Sequence, residues 1–340
     1  MLLLALGATV ILFGASAAFA ANGAYVGQWG SFGTGNGQFN GPWGVSVDSA
    51  GYVYVADVYN NRVEKFTNSG AYVTQWPVVN SNGYPWELAV DPLGHVWVAE
   101  NQTSVVEEFS NTGALLTHWD GTSSGSQYAL MYPAGMAFDA AGNIYVVDDG
   151  NNRVEEFNPA GAFIRQWDGS SSGTTFNGPW GIATDSTGYV YVLDYGNSRV
   201  VKFTSTGGYV AQWGGSGTGN GQFNGAQDLA VDSSNNVYVS DSNNCRVQKF
   251  ANNGTFLLKW GSQGTGNGQF GLNFYGAGGI ALDSAGNAYV VDFPNNRVEK
   301  FGTANVNTPA SSTWSLALLA VAGLGVAEVL RRRARGARAR

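Results

Sequence analysis

Residues 39–66 read FNGPWGVSVDSAGYVYVADVYNNRVEKF. Three short runs, GVSVD, YVYVAD and RVEKF, alternate apolar and polar side chains as half-buried strands do, and SAGY and VYNN lie between them as tight turns. TNSG (67–70) turns once more, and AYVTQW (71–76) supplies a fourth run. No helical period runs through any of it. Four short strands joined by tight turns in roughly 40 residues make one propeller-like sheet.

The unit recurs along the chain. An Asp stands at 48, 91, 139, 185, 232 and 283, at intervals of 43, 48, 46, 47 and 51. Nine residues after each comes a second acid: Asp57, Glu100, Asp148, Asp194, Asp241 and Asp292. Nine further comes Phe66, Phe109, Phe157, Phe203, Phe250 or Phe301, and ten beyond that a Trp, missing only after Phe301. Six such repeats predict an all-β, six-bladed β-propeller of four-stranded blades over residues 21–303. The sixth repeat stops after three strands and runs into TANVNTPASS (303–312), whereas NGAYVGQW (22–29) ends a repeat that has no beginning. Residues 24–29 are therefore expected beside Arg297–Phe301 as the missing strand, closing the ring and leaving no open edge.

Residues 39–66 and FNGPWGIATDSTGYVYVLDYGNSRVVKF (176–203) resemble the NHL repeat, and they lack the paired glycines of kelch and the G-H…W-D pair of WD40 blades. The resemblance extends over residues 22–303 and implies a six-bladed NHL-type propeller. The second repeat departs furthest: Glu100 replaces Asp, and Val105 stands where the others have Arg. The fifth has Asn235 at the usual turn Gly.

The ends read differently. Residues 1–20 are apolar and small and finish in Ala18-Phe19-Ala20, the pattern of a secretory signal peptide. After a linker (304–313), residues 314–330 are apolar except for Glu328, and residues 331–340 carry six arginines. As a helix, 314–330 rises roughly 25 Å, just under a ~30 Å hydrocarbon core, and with the arginines behind it reads as a transmembrane segment with a basic cytoplasmic tail. TPASSTWSLALLAVAGLGVAEVLRRR (308–333) resembles a PEP-CTERM-type sorting signal, with Pro309-Ala310-Ser311 in place of Pro-Glu-Pro. That resemblance implies processing at the cell surface by an exosortase-type enzyme. The expected location is extracytoplasmic, secreted or anchored at the surface.

Among 340 residues there are 49 Gly, 13% are aromatic and 12% charged, the profile of a β-rich globular chain. Setting aside the six tail arginines and Glu328 leaves 11 basic and 23 acidic residues, a balance of −12. Such a body repels phosphate backbones, so nucleic acid is not an expected partner. Intracellular NHL proteins with RING, B-box and coiled-coil segments include ubiquitin ligases and RNA binders, but this chain has no Cys-rich zinc module and no heptads. Cys245 is the sole cysteine, which excludes an intrachain disulfide.

Residues present in every repeat read as scaffold. Asp48, Asp91, Asp139, Asp185, Asp232 and Asp283 precede tight turns, where a carboxylate accepts backbone N–H groups. Arg62, Arg153, Arg199, Arg246 and Arg297 follow the second acid by five residues and are expected to pair with it between strands or blades. The outer-strand tryptophans, from Trp29 to Trp260, read as packing residues. GTGNGQF, at 33–39, 217–223 and 264–270, lacks the following helix and the Lys-Ser/Thr pair of a phosphate-binding loop, and is expected as a flexible connector.

Function is sought where the repeats differ. Five residues before each first Asp stand Trp43, Trp86, Ala134, Trp180, Gln227 and Gly278. The next residue is Gly in four repeats but Glu87 and Asp228 in two. The loops between second and third strands carry Tyr59, Tyr195 and Phe293, against Asn101, Asp149 and Ser242. All lie on one face, opposite uniform small turns. Trp43, Trp86, Trp180, Tyr59, Tyr195, Phe293, Glu87 and Asp228 are the ligand-binding candidates, for a protein, peptide or glycan, with the tryptophans alternatively plugging the central channel. No catalytic set is discernible and no cofactor is expected. His95 and His118, both in the second repeat, are too few for a zinc site and read as solvated or packed. Related propellers include metal-dependent lyases and lactonases, so the alternative function is a Ca²⁺-dependent enzyme with Glu87 and Asp228 on mouth loops, joined by Asn and carbonyl oxygens.

Overall fold

The computed structural model describes residues 23–80, 83–120, 129–272 and 276–302. The proposed signal peptide, linker, transmembrane segment and tail lie outside these residues, and among the described residues no helix is long and apolar enough to cross a membrane.

The opening stretch forms β2 (Pro42–Val47), β3 (Val53–Asp57) and β4 (Arg62–Phe66), and β5 (Tyr72–Pro77) completes a four-stranded antiparallel sheet in the order β2-β3-β4-β5. The second to fifth blades repeat the plan. They are β6–β9 (Pro85–Val90, Val96–Glu100, Val105–Phe109, Leu115–Trp119), β10–β13 (Pro133–Phe138, Ile144–Asp148, Arg153–Phe157, Phe163–Trp167), β14–β17 (Pro179–Thr184, Val190–Asp194, Arg199–Phe203, Tyr209–Gly214) and β18–β21 (Ala226–Val231, Val237–Asp241, Arg246–Phe250, Phe256–Trp260). The sixth has β22 (Ala277–Leu282), β23 (Ala288–Asp292) and β24 (Arg297–Gly302), and its outer strand is β1 (Ala24–Trp29). Ala24 faces Gly302, Tyr25 faces Phe301 and Trp29 faces Val298, with a bulge between Tyr25 and Gly27. The N-terminal strand thus closes the ring, as the truncated sixth repeat predicts.

Hydrophobic residues fill the gaps between neighbouring blades, because each twisted sheet is apolar on both faces. One cluster joins Val45, Val55 and Phe66 to Tyr289, Val291 and Val298 across the closure, and equivalent clusters occupy the other five junctions. The outer tryptophans lock these junctions. Each indole lies over the glycine that ends the third-to-fourth-strand turn of the next blade: Trp29 on Gly70, Trp76 on Gly113, Trp119 on Gly161, Trp167 on Gly207 and Trp213 on Gly254. The last pair is Trp260 on Gly23, so the N-terminal segment supplies the turn glycine of the sixth blade as well as its strand. Gly23 and Gly70 sit at φ +99° and +86°, where a side chain is strained and a Cβ would enter the indole.

The repeated acids do two jobs. Asp48 Oδ1 accepts the N–H groups of Ala50 and Tyr52, and Oδ2 accepts the Tyr54 hydroxyl at 2.8 Å, which pins the turn to the buried second strand. Asp57 faces Arg62 across β3 and β4, with Nε 2.8 Å from Oδ2. The guanidinium reaches on to the carbonyls of Thr34, Gly35 and Gln38. Arg246 holds Thr218, Gly219 and Gln222 in the same way, and Arg297 holds Thr265, Gly266 and Gln269. The three GTGNGQF segments are therefore not free connectors. A planar fork of donors fixes each by three carbonyls, a constraint that glycine content alone hides.

Candidate functional site

The first strands run closest to the axis, and their N-terminal ends bring Trp43, Trp86 and Trp180 together. Ring centroids lie 4.6 Å apart for Trp43–Trp86, 5.8 Å for Trp43–Trp180 and 6.3 Å for Trp86–Trp180. Trp43 is 2% exposed, while Trp86 and Trp180 are half-buried. The three rings cap the axis, so Trp43 is a plug and the other two are partly exposed. Trp180 stacks on Tyr195 at 5.0 Å and hydrogen-bonds the carboxylate of Asp149, whose pKa burial pushes up against that bond.

Around the plug runs an aromatic rim. Phe293 lies 5.6 Å from Trp43 and 6.3 Å from Tyr59, and Tyr59 lies 6.0 Å from Tyr84. Tyr59 is 49% exposed and Tyr132, on the third blade, 46%. The fifth blade offers Gln227 and Ser242 instead, both buried. The face is thus aromatic over blades six, one, two, three and four and polar at the fifth.

Tyr84 and Tyr132 are rim residues that sequence reasoning missed. Each precedes the proline that opens a first strand, where Gly41, Gly178 and Gly225 stand in other repeats at φ +64°, +58° and +62°. Tyr84 and Tyr132 adopt the same left-handed backbone at φ +50° and +53°. Tyr84-Pro85 and Tyr132-Pro133 against Gly41-Pro42 and Gly178-Pro179 was the available signal.

Glu87 and Asp228 lie beneath the plug, and here the structure corrects their expected setting. They belong to β6 and β18, not to mouth loops, and both are buried. Asp228 Oδ1 and Oδ2 accept the N–H groups of Leu229 and Ile280, each at 2.8 Å. Glu87 Oε1 accepts Leu88 N–H at 3.0 Å. Backbone donors, rather than carbonyl oxygens suited to Ca²⁺, surround Asp228. Gly44 and Gly181 leave the room: a Cβ on Gly44 would lie 2.5 Å from Glu87 Oε1, and one on Gly181 2.9 Å from Asp228 Oδ1. Burial raises the pKa of both acids, and for Glu87 the charge of Asp228 adds to the rise. The pair ends a channel of about 290 Å³ that extends along the first strands to Val47, Val90, Phe138 and Thr184, at the face opposite the tryptophans.

Comparison with known proteins agrees with this architecture. The family model described as NHL repeat matches residues 39–66, 130–157, 176–203, 223–250 and 274–301, every repeat other than the second. The E3 ubiquitin-protein ligase TRIM71 of Rattus norvegicus is 49% identical over 45 residues, which span 13% of this chain and only 5% of that protein. Among solved structures, a streptogramin B lyase is similar at TM-score 0.58 and 14% identity, covering 82% of this chain and 97% of its own. A gluconolactonase from Xanthomonas campestris gives 0.57 and 15%, covering 78% and 88%. A protein of unknown function from Bacteroides thetaiotaomicron gives 0.64 and 18%, covering 81% and 76%. At these identities the likeness to solved structures is one of fold. The chain carries NHL repeats, and they build a six-bladed β-propeller.

Proposed function

We propose that this propeller is a binding module whose aromatic face takes a protein, peptide or glycan, with Trp86, Trp180 and Tyr195 as floor and Phe293, Tyr59, Tyr84 and Tyr132 as rim. The observation that carries the reading is the backbone at Tyr84 and Tyr132. A left-handed non-glycine residue costs about 1–2 kcal/mol, and other blades avoid that cost with glycine. Two tyrosines held this way, Tyr132 46% exposed and Tyr84 half-buried, serve recognition better than folding. Aromatic rings of low rotamer entropy around a rigid floor suit peptide side chains or sugar faces. Residues 1–20 as export signal and 314–330 as anchor, processed by an exosortase-type enzyme, would place this face outside the cell.

The test is a peptide-array and glycan-array screen of the full chain beside its Tyr84→Gly/Tyr132→Gly variant. The substitutions install what other repeats already use, so the fold is retained. Ligands seen by the parent should be lost by the variant, and a variant that keeps them all refutes the reading.

A second reading rests on the acid pair. Two buried carboxyls of raised pKa at the end of a channel can hold and pass a proton, as hydrolysis or elimination requires. Glu87→Gln keeps the acceptor for Leu88 N–H while removing one proton site. A lactone or ester turnover by the full chain that survives this change excludes the pair as its catalyst.

A further inference from the structure

On the face opposite the aromatic rim, the second blade breaks the charge scheme that its siblings share. In every blade the first repeated Asp lies near the end of the third strand, and in five of the six a cation stands there. Lys249 Nζ is 3.1 Å from Asp232 Oδ2, and Lys202 Nζ is 3.9 Å from Asp185 Oδ2. Lys65 and Lys300 feel the charges of Asp48 and Asp283 in the same way. The third blade has Glu156 at the lysine position, and Arg165, opposite it on β13, compensates at 2.9 Å. The second blade has Glu108 there and Thr117 opposite, so neither cation is present.

What faces the two carboxylates is His95. Its Nδ1 lies 2.7 Å from Glu108 Oε1 and 3.4 Å from Asp91 Oδ2. That nitrogen is shielded from solvent and has no hydrogen bond among the described residues. All three ligand-type atoms lie within 4.8 Å of one another. Asp91 is held in place: Oδ1 accepts the N–H groups of Leu93 and His95, and Oδ2 accepts Trp97 Nε1 at 3.1 Å. Such an outer hydrogen bond orients a carboxylate ligand. The trio opens into a cavity of about 280 Å³ between the second and third blades, walled by Leu93, Trp97, Phe138, Ile144 and Pro159.

We propose that Asp91, His95 and Glu108 bind one divalent transition-metal ion of the Zn²⁺ class, with the remaining coordination positions facing this cavity. One imidazole nitrogen and two carboxylate oxygens suit Zn²⁺, Co²⁺ or Mn²⁺ better than Ca²⁺, which takes oxygen ligands. Three protein ligands leave a position for water or for an anionic ligand's oxygen. The ion supplies the positive charge that lysine or arginine supplies in the other five blades. The site is separate from the aromatic face and does not depend on its function.

The test is titration of the metal-stripped, untagged full chain with Zn²⁺ by calorimetry and with Co²⁺ by visible absorption. One ion per chain is expected, with cobalt bands of a nitrogen–oxygen site and a rise in melting temperature on Zn²⁺ addition. Glu108→Lys and His95→Tyr restore residues found at these positions in other blades, so both should fold. Each should weaken binding at least tenfold and abolish the metal-dependent rise, while His118→Ala leaves both intact. Zn²⁺ binding that is absent, or that Glu108→Lys and His95→Tyr leave unchanged, overturns the proposal and leaves the trio a contact within the fold only.

Discussion

Removing Trp29 should weaken the ring as much as removing a tryptophan within the continuous repeats. Trp29 is the last residue of the closing strand, 5.8 Å from Phe66 and 6.0 Å from Tyr289 by ring centroids. It bridges the first and last blades. Truncating a buried Trp costs about 3–5 kcal/mol, and because Trp29 is half-buried we expect about 2–4 kcal/mol for Trp29→Ala. Gly70→Ala attacks the same contact from the other side. It brings about 1 kcal/mol of left-handed strain and a Cβ 2.7 Å from the Trp29 ring. With the indole gone that clash disappears, so the double variant should fall short of the sum of the singles by about 1–2 kcal/mol. Urea unfolding followed by far-ultraviolet circular dichroism at one pH measures all three. Trp167→Ala with Gly207→Ala is the internal reference, because that pair repeats the geometry between continuous blades. If Trp29→Ala costs under about 1 kcal/mol while Trp167→Ala costs 2–4, or if the effects simply add, the N-terminal strand is an ornament and not the closure.

Stability should fall as pH rises from 5 to 8.5. Burial pushes the buried Glu155 and Glu299 up to about 8 and Glu64 and Glu107 up to about 7, so their contribution is complete below 4.5 and is lost through those higher values. The urea midpoint should drop over this range and Glu155→Gln should flatten the drop, whereas a midpoint that climbs contradicts the assignment. Arg246→Lys keeps the charge but cannot reach Asp241, Thr218, Gly219 and Gln222 together, so it should cost about 1–3 kcal/mol and speed proteolysis within 216–222. Equal cleavage rates would mean that the guanidinium does not hold this loop. Restoring the repeat pattern in the second blade with Glu87→Gly and Glu108→Lys should raise stability at pH 8 by about 1–3 kcal/mol, since one change removes a buried acid and the other a close carboxylate pair. A fall in the thermal midpoint would instead mean that these acids support the fold where they stand.

The closure, the blade count and the Asp–Arg scaffold were legible because six copies expose the rule and each exception stands out against it. The sixth repeat without a fourth strand and NGAYVGQW without a repeat have one joint solution. Burial was less legible. Trp43, Trp86 and Trp180 share a repeat position, yet only Trp43 is buried, because how far a ring at the axis is covered depends on the other rings that converge there. Glu87 and Asp228 read as mouth-loop residues but lie in inner strands, where a carboxylate is costly unless donors meet it, and the Ile280 N–H that meets Asp228 comes from the neighbouring blade. Tyr84 and Tyr132 drew no reading at all: a residue before proline favours extended backbone, and the turn overrides that preference here.

The second blade concentrates these departures, and their physical direction is consistent. Val105 removes the arginine that would pin the preceding connector. Glu100 then turns to the side chains of Asn80 and Thr103, and Glu107 to Val79 N–H. Glu108 removes a cation beside Asp91, Glu87 puts an acid under the plug, and Tyr84 accepts a left-handed backbone. Each change costs stability relative to the residue that sibling blades use at the same place. A scaffold repeated six times has its preferred solution on display, so residues that depart from it at a cost need a reason outside folding. Two of those residues belong to the aromatic rim and the histidine–carboxylate trio, at opposite ends of one blade. The divergence that removes this repeat from the family pattern is therefore the same divergence that supplies residues to both proposed binding sites.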